Sequence, residues 1–474
     1  MSDDVRYSSI VYDSRKASPG SAFFCLRGIS ADGHDFAAKS YDNGARVFFC
    51  EKPLDLPPDA RQIVVENTRI ELAARSKEFF GRPDEKLKII GITGTKGKTT
   101  TANVVYQIMT KAGFKAAVIG TNGMMIDGKH YDTKNTTPES YELFSAFADM
   151  VSSGTTHCIM EVSSQAYKLW RVYGITFDCG VFTNLSPDHI GVGEHASFDE
   201  YMLCKSRLFE NSKQSIINID DDFGDIMIDH SKGGVVTFGI SNPKADFRGS
   251  DIHPWKNESA LGVDFTCTVR GFSHRFRVRT PGEYSVYNAL AIIAVCSIYG
   301  IPAEVIDREL STVQVKGRFE IIDALPWATF IIDYAHNEMS LRNVLATIRE
   351  YSPKRLICLF GSVGDRTQIR RVEMGRIAAE YADFCILTSD NPGFEAPMRI
   401  IGDIERGIDG RVPYVTIPDR ASAVEYAVNN AKRGDVILFA GKGHEDYQLV
   451  NGKKLPFSER EIIRRACEKI KTNV

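Results

Sequence analysis

Short apolar runs separated by turns rich in glycine, proline and acidic residues open the chain, at 21–26, 47–50 and 62–65, and each reads as a strand. The polar stretch Gly81-Arg-Pro-Asp-Glu-Lys86 then reads as a linker. Residues 87–93, Leu-Lys-Ile-Ile-Gly-Ile-Thr, are almost continuously apolar, as expected of a strand buried on both faces. A glycine-rich turn follows, and the apolar spacing of 100–112 predicts a helix. Two more apolar runs, 158–162 and 179–183, each end in a polar cluster and predict further parallel strands. Over 260–278 the rhythm changes to alternation (Val263, Phe265, Cys267, Val269), which predicts an antiparallel excursion.

After Val315-Lys-Gly-Arg318 the apolar runs resume at 330–332, 356–360, 384–387, 414–417 and 436–440, most of them separated by helix-length stretches. This is the signature of a doubly wound βαβ domain. Four of these runs lead into polar or glycine-rich clusters: Asp333-Tyr-Ala-His336, Gly361-Ser-Val-Gly-Asp-Arg366, Ser389-Asp-Asn-Pro-Gly393 and Gly441-Lys-Gly-His-Glu445. Ligands of open α/β sheets bind beyond the carboxyl ends of strands, so the clusters are expected along one edge. The fold class is therefore α/β with three domains: 1–86, a small N-terminal α/β domain; 87–313, a central parallel-sheet domain; and 314–474, a C-terminal Rossmann-like domain. The length of 474 residues suits about three domains.

Composition narrows the function. Lys and Arg number 58 against 61 Asp and Glu, a formal net charge of −3, so no global basic field exists to hold nucleic acid or an anionic membrane. The ten cysteines are scattered with no Cys-x-x-Cys pair, and read as core thiols of a reducing compartment. The N-terminus is acidic where a signal peptide is basic, and the strongest apolar stretch, 289–301, is broken by Ser297 and Gly300. A cytoplasmic protein with no membrane insertion is the expectation, and a monomer is the default.

The strongest chemical signal is Gly94-Thr95-Lys96-Gly97-Lys98-Thr99-Thr100 at the junction of strand and helix. Backbone N–H groups at such a turn cradle phosphates, Lys98 reaches the β and γ oxygens, and the Thr99 hydroxyl sits on Mg²⁺. The full phosphate-loop formula wants glycine at position 92, which here is Ile, so a purely structural glycine turn is the competing reading. Glu161, at a strand end, is placed to hold Mg²⁺ directly or through water; a salt-bridged strand-end acid is the alternative. Asp188, His189 and nearby His195 are candidate metal or phosphate ligands, although a lone loop histidine is commonly a surface residue. Lys205 lies on an expected helix whose Leu203, Leu208 and Phe209 face inward, and by spacing alone it is a solvent-facing lysine. Trp170, Trp255 and Trp327 read as core or interface.

Taken in order, these elements resemble the Mur ligases, the ATP-dependent amino-acid ligases of peptidoglycan precursor synthesis, over essentially the whole chain. The motifs are Asp13-Ser-Arg15, Gly94–Thr100, Asn135-Thr-Thr-Pro138, Glu161-Val-Ser-Ser164, Thr183-Asn-Leu-x-x-Asp188-His189, Lys205 before Leu208-Phe209, Asn288-x-x-Ala, Gly317-Arg-Phe-Glu320, Asp333-Tyr-Ala-His-Asn337, Asp390-Asn-Pro392 and Gly441-Lys-Gly-His-Glu445. The resemblance is strongest to the tripeptide-synthetase branch. It implies that Ser14, Ile29, Ser30 and Ala31 hold a UDP-sugar in the first domain, while Asn135, Thr136, Thr137, Ser163 and Arg171 hold its peptide arm. Leu169 stands where the family often has Gln, so one such contact is missing. ATP would be bound by Gly94 to Thr100 with Asn288, Arg318, Asp333 and His336. The incoming amino acid would be received by Arg366, Asp390, Asn391, Pro392, Gly393, Gly441 and Glu445. Lys98, Lys205, Glu161 and His189 form the implied catalytic set. Lys205 matches the lysine that the family carbamylates with CO₂, which would make it an anionic ligand for a second Mg²⁺; with Thr99 and Glu161 it completes the implied metal ligands for two Mg²⁺ ions.

The implied reaction joins the third amino acid to UDP-N-acetylmuramoyl-L-alanyl-D-glutamate through an acyl phosphate, releasing ADP and phosphate, with the third domain closing over the second during turnover. Diaminopimelate-adding relatives usually read Asp-Asn-Pro-Arg, where the guanidinium pairs with the distal carboxylate. Here Gly393 is the fourth residue and the next charged one is Glu395, which suits a side-chain ammonium. The pocket therefore reads as favouring L-lysine or another diamino acid with one carboxylate. A related ligase acting on another carboxylate acceptor, or a catalytically silent nucleotide-binding scaffold, are the rival readings. A folylpolyglutamate synthetase would lack so long a first domain, and a silent scaffold would be expected to lose Lys98, Glu161 or Lys205.

Overall fold

In the computed structural model, which describes residues 6–28, 31–188, 190–191, 194–257, 260–364 and 368–472, the apolar run at 87–93 is the strand Lys88–Thr93, and every residue after Lys88 is buried. The chain folds into two compact units: Met1–Phe247 with Ala291–Ile301, and Arg248–Leu290 with Pro302–Val474. In the first unit, four short strands, Ser9–Val11, Ser21–Phe24, Val47–Cys50 and Arg61–Val64, lie in sequence order and wholly parallel. The period of two sends Phe23 and Phe48 to one face and Phe24 and Phe49 to the other, where the last two rings stack at 4.3 Å. The helix Thr68–Phe79 covers that second face through Leu72, and the Asn67 side chain caps it by accepting from the Arg69 and Ile70 N–H groups. The stretch expected as a linker includes the 3₁₀ turn Pro83–Lys86 with a buried Asp84, so it is packed structure.

The large sheet of the same unit runs, in spatial order, Gly234–Gly239, Gln214–Asn218, Cys179–Phe182, Lys88–Thr93, His157–Glu161 and Ala116–Gly120, all parallel. The antiparallel pair Gly123–Ile126 and Lys129–Tyr131 finishes the edge. Lys88–Thr93 is central, so the turn that follows it opens between neighbouring strand ends.

In the second unit, Leu261–Val269 and Phe272–Val278 pair antiparallel, in line with the alternation in sequence. The six-stranded sheet runs Glu320–Ile322, Thr329–Asp333, Asp435–Ala440, Arg355–Phe360, Phe384–Leu387 and Tyr414–Thr416, parallel except for its first strand. One apolar cluster lies on each face, led by Leu345, Met374 and Ile404 on one side and Val424, Val428 and Ile463 on the other, which is the doubly wound arrangement. Because the strands are parallel, the loops after Asp333, Phe360, Leu387 and Ala440 share one edge. The apolar stretch at 289–301 falls largely in the helix Glu283–Ile298; among the described residues no helix is long and apolar enough to cross a membrane.

Candidate functional site

The turn after Lys88–Thr93 is shaped by two glycines. Gly94 has φ +147° and Gly97 φ +86°, and Gly97 is the N-cap of the helix Lys98–Lys111. A Cβ on Gly94 would come within 2.0 Å of Thr183 Oγ1, so only glycine fits. Thr183 and Asn184, at the end of the neighbouring strand, template the loop. The Thr183 hydroxyl donates to Lys96 O at 2.7 Å, Asn184 Oδ1 accepts from the Lys96 N–H at 2.9 Å, and Asn184 O accepts from the Thr95 N–H at 2.8 Å. The result is a glycine turn opening onto a helix N-terminus, the geometry that receives phosphate. Lys98 Nζ folds back to donate to Gly94 O at 2.8 Å and Thr95 O at 3.1 Å.

Lys205 departs from its expected place. It is only 2% exposed, and its Nζ donates to the same Gly94 oxygen at 2.8 Å and lies 4.6 Å from the Tyr201 ring centroid. The error is one of helix phase: Leu203, expected inside, is 45% exposed, while Cys204, Leu208 and Phe209 share the buried face with Lys205. Burial, with the Lys98 charge adding to it, holds the Lys205 amine well below the usual lysine range. Glu161 is fully buried. Its Oε2 accepts from the Thr99 hydroxyl at 2.9 Å and from Thr121 Oγ1 at 3.3 Å, and its Oε1 accepts from the Thr121 N–H at 2.8 Å. The Thr99 and Glu161 pair presents only hard oxygen donors, as Mg²⁺ requires. Asp188 Oδ2 lies 3.3 Å from Lys96 Nζ. His195 is fully buried rather than a surface residue, with Nε2 2.8 Å from Ser164 Oγ and Nδ1 3.7 Å from Glu200. His189 lies outside the described residues.

Around Glu161, the Thr137 hydroxyl donates to Glu161 O at 2.9 Å, Thr136 Oγ1 is 3.1 Å from Thr121 Oγ1, and Ser163 caps the helix Ser164–Lys168. Arg171 donates to Glu139 Oε1 and to Thr137 O, while Asn135 is exposed. Ser14 is buried in a short 3₁₀ turn and Ala31 is exposed; Ile29 and Ser30 lie outside the described residues.

In the second unit, Asp333 ends its strand with Oδ2 accepting from the Phe319 N–H at 2.7 Å, and burial raises its pKa. The Arg318 guanidinium sits over the Tyr334 ring at 4.8 Å, and His336 Nδ1 is 2.8 Å from Tyr334 O. Asn288 is half-buried on the helix Glu283–Ile298. Asp390 is buried, and Asn391 Nδ2 donates to Glu445 Oε2 at 2.9 Å, which brings the 390–393 and 441–445 loops together. Gly393 has φ +61°, its N–H donates to Leu449 O, and its carbonyl accepts from the Asn451 N–H at 2.7 Å. Glu395 is held by Arg371 through Nη1 at 2.8 Å and Nη2 at 2.6 Å. Arg366 lies outside the described residues.

Several of these residues escaped sequence reasoning. Thr121 and Arg371 carry no local signal. Tyr201, one helical turn before Lys205, and Lys442 and His444, inside the same glycine-rich motif as Gly441, could have been found by asking which neighbours a buried site needs. Burial, with the Arg318 charge adding to it, lowers the His444 pKa to about 4.

Three family models match in succession: "Mur ligase family, catalytic domain" over residues 6–78, "Mur ligase middle domain" over 92–296 and "Mur ligase, glutamate ligase domain" over 317–443. A UDP-N-acetylmuramoyl-L-alanyl-D-glutamate–2,6-diaminopimelate ligase of Caldanaerobacter subterraneus subsp. tengcongensis is 42% identical over 463 residues, covering 97% of this chain and 95% of its own length. Its counterpart in Clostridium perfringens is 41% identical over 469 residues, with the same coverage. A solved structure bearing that enzyme name superposes with a TM-score of 0.72 at 28% identity, covering 99% of this chain and 98% of that one. Matched from its first sheet through its last loops, the chain belongs to the Mur ligase family and is an ATP-dependent, amide-bond-forming ligase of peptidoglycan synthesis.

Proposed function

We propose that the chain adds the third amino acid, a 2,6-diamino acid, to UDP-N-acetylmuramoyl-L-alanyl-D-glutamate, releasing ADP and phosphate. The observation that carries this reading is the meeting of Lys98 and the buried Lys205 on one carbonyl oxygen, that of Gly94, on the loop that leads into the helix whose Thr99 bonds Glu161. The names of the two relatives support the acceptor and the step. A carboxylate oxygen of the acceptor attacks the γ-phosphorus of ATP and the bond to ADP breaks, giving an acyl phosphate. The α-amine of the amino acid then attacks the acyl carbon, loses a proton, and phosphate leaves. Lys98 neutralises charge on the transferred group, and the helix N-terminus orients the phosphates.

The depressed, water-shielded amine of Lys205 supports carbamylation, because a neutral amine is the form that attacks CO₂: the N–C bond forms and a proton is released. Thr99, Glu161 and carbamylated Lys205 would hold Mg²⁺, which neutralises charge on phosphoryl oxygens when bound. Arg318, Asp333, His336 and Asn288 are assigned to ATP, and the loops at 390–393 and 441–445 to the amino acid.

L-lysine loses ground as the added residue. The relatives carry diaminopimelate in their names, and Glu395, the carboxylate meant for a lysine ammonium, is already clamped by Arg371. Gly393 has a backbone reason to be glycine, its positive φ, independent of pocket charge. Diaminopimelate is therefore the first candidate, and L-lysine, which shares its 2,6-diamino skeleton, the second.

The test is phosphate release coupled to mass spectrometry of the product, with Mg-ATP, the UDP-muramoyl dipeptide, bicarbonate and single amino acids. Release that requires both substrates, with a product one amino-acid residue heavier, is the expected result. Release with diaminopimelate but not L-lysine fixes the order of candidates. No release with any amino acid, while ATP still binds, moves the chain to a Mur ligase acting on another acceptor.

A further inference from the structure

The strands Phe384–Leu387 and Asp435–Ala440 are not neighbours; Arg355–Phe360 lies between them. At ~4.8 Å per strand spacing their ends stand about 10 Å apart; backbone hydrogen bonds tie the following segments only farther out, between Gly393 and both Leu449 and Asn451, so the residues just beyond the strand ends must be joined another way. Side chains have to do it, and two buried cations do. Lys442 is completely buried, yet its ammonium is fully used: it donates to Asn391 Oδ1, to Glu445 Oε2 at 3.0 Å and to Tyr447 O at 2.8 Å, with Asp390 Oδ1 3.2 Å away. Asn391 closes the circuit by donating to Glu445 Oε2. Arg420, also fully buried, donates to Ser389 O at 3.2 Å, to Ala440 O at 2.8 Å and to Glu459. It thereby grips the residue just before each loop.

Fully burying a lysine is costly unless its charge is matched. Here the two cations face three carboxylates, Asp390, Glu445 and Glu459, and burial pushes the Glu459 pKa up. Glu445 spends Oε2 on the knot, and its Oε1 accepts no protein hydrogen bond among the described residues. Asn391 commits its Oδ1 to Lys442 and the Leu449 N–H and one Nδ2 hydrogen to Glu445.

We infer that Lys442 is a positioning residue for the incoming amino acid, holding Glu445 and the Asp390–Gly393 turn fixed so that Glu445 presents a preorganised carboxylate to a substrate ammonium. Asn391 links the two loops within this knot. The inference rests on the reading that the amino acid docks on these two loops.

The test compares Lys442→Met, Glu445→Gln and wild type in steady-state kinetics with the amino acid that supports release, together with thermal unfolding. Lys442→Met keeps length and removes charge. It is expected to raise the amino-acid KM about tenfold or more while leaving the KM for ATP and for the UDP-dipeptide within about twofold, a split that a general loss of structure does not give. If Glu445→Gln raises the amino-acid KM and a folded Lys442→Met does not, the positioning role is overturned while the docking site stands. If neither variant moves that KM, the docking site itself falls. Should Lys442→Met not fold, Asn391→Leu, which cuts the same circuit from the other loop, must give the same split or the inference fails.

Discussion

At the scale of the residue, the centre of interest is the carbonyl oxygen of Gly94, which accepts from two lysines at once. Two ammonium groups cannot share one acceptor at full charge without cost, and burial puts that cost on Lys205. Lys205→Ala is therefore expected to bind ATP but not turn over, and formate or acetate should restore part of the rate by supplying the missing anion. Full activity without a rescue agent, read by phosphate release, would remove the carbamate. Lys98 was legible because glycine, lysine and threonine fall at fixed offsets. Lys205 was legible only through its motif, since helix spacing pointed it outward; one lysine among apolar residues does not reveal which side of its own helix is buried. The same limit applied to Glu395, whose partner Arg371 is 24 positions away.

At the scale of the element, the parallel strands declared themselves as continuous apolar runs because both faces are covered, and the antiparallel pair at 261–278 as alternation. Less visible were Ser9–Val11 and the hairpin from Gly123 to Tyr131, which are short, and in the hairpin's case half-exposed, with too few positions for a period to emerge; Ala116–Gly120, Gln214–Asn218 and Gly234–Gly239 were not singled out either, although they are as long as strands that were. The helix Ser140–Ser152 buries Leu143, Phe144, Phe147 and Met150 completely, at helical spacing. Phe147→Ala should destabilise its unit by about 3–5 kcal/mol, the usual cost of emptying an aromatic core site. A fall of less than about 1 kcal/mol in urea unfolding would mean that the neighbours collapse into the space.

At the scale of the whole molecule, the order of motifs along 474 residues carried the family, while the amino acid added did not follow, because one glycine can serve backbone or pocket. Stability should carry the mark of His444. Its pKa in the fold is about 4 against 6.5 for the free group, so below pH 6.5 the unfolded chain takes up the proton first. Its contribution is thus complete above pH 6.5 and lost as pH falls toward 4. His444→Asn should flatten the stability profile of the wild type in that window, as followed by thermal unfolding; parallel profiles would show that the imidazole does not titrate there. The ten cysteines have a different kind of consequence. All are buried, and burial raises every one of their pKa values. The native chain should therefore be nearly silent to thiol-reactive dyes, so a single cysteine introduced on the exposed surface of each unit would be expected to take a fluorophore cleanly. Energy transfer between the two dyes would test the expected closure of the third domain over the second during turnover, without first deleting a native thiol.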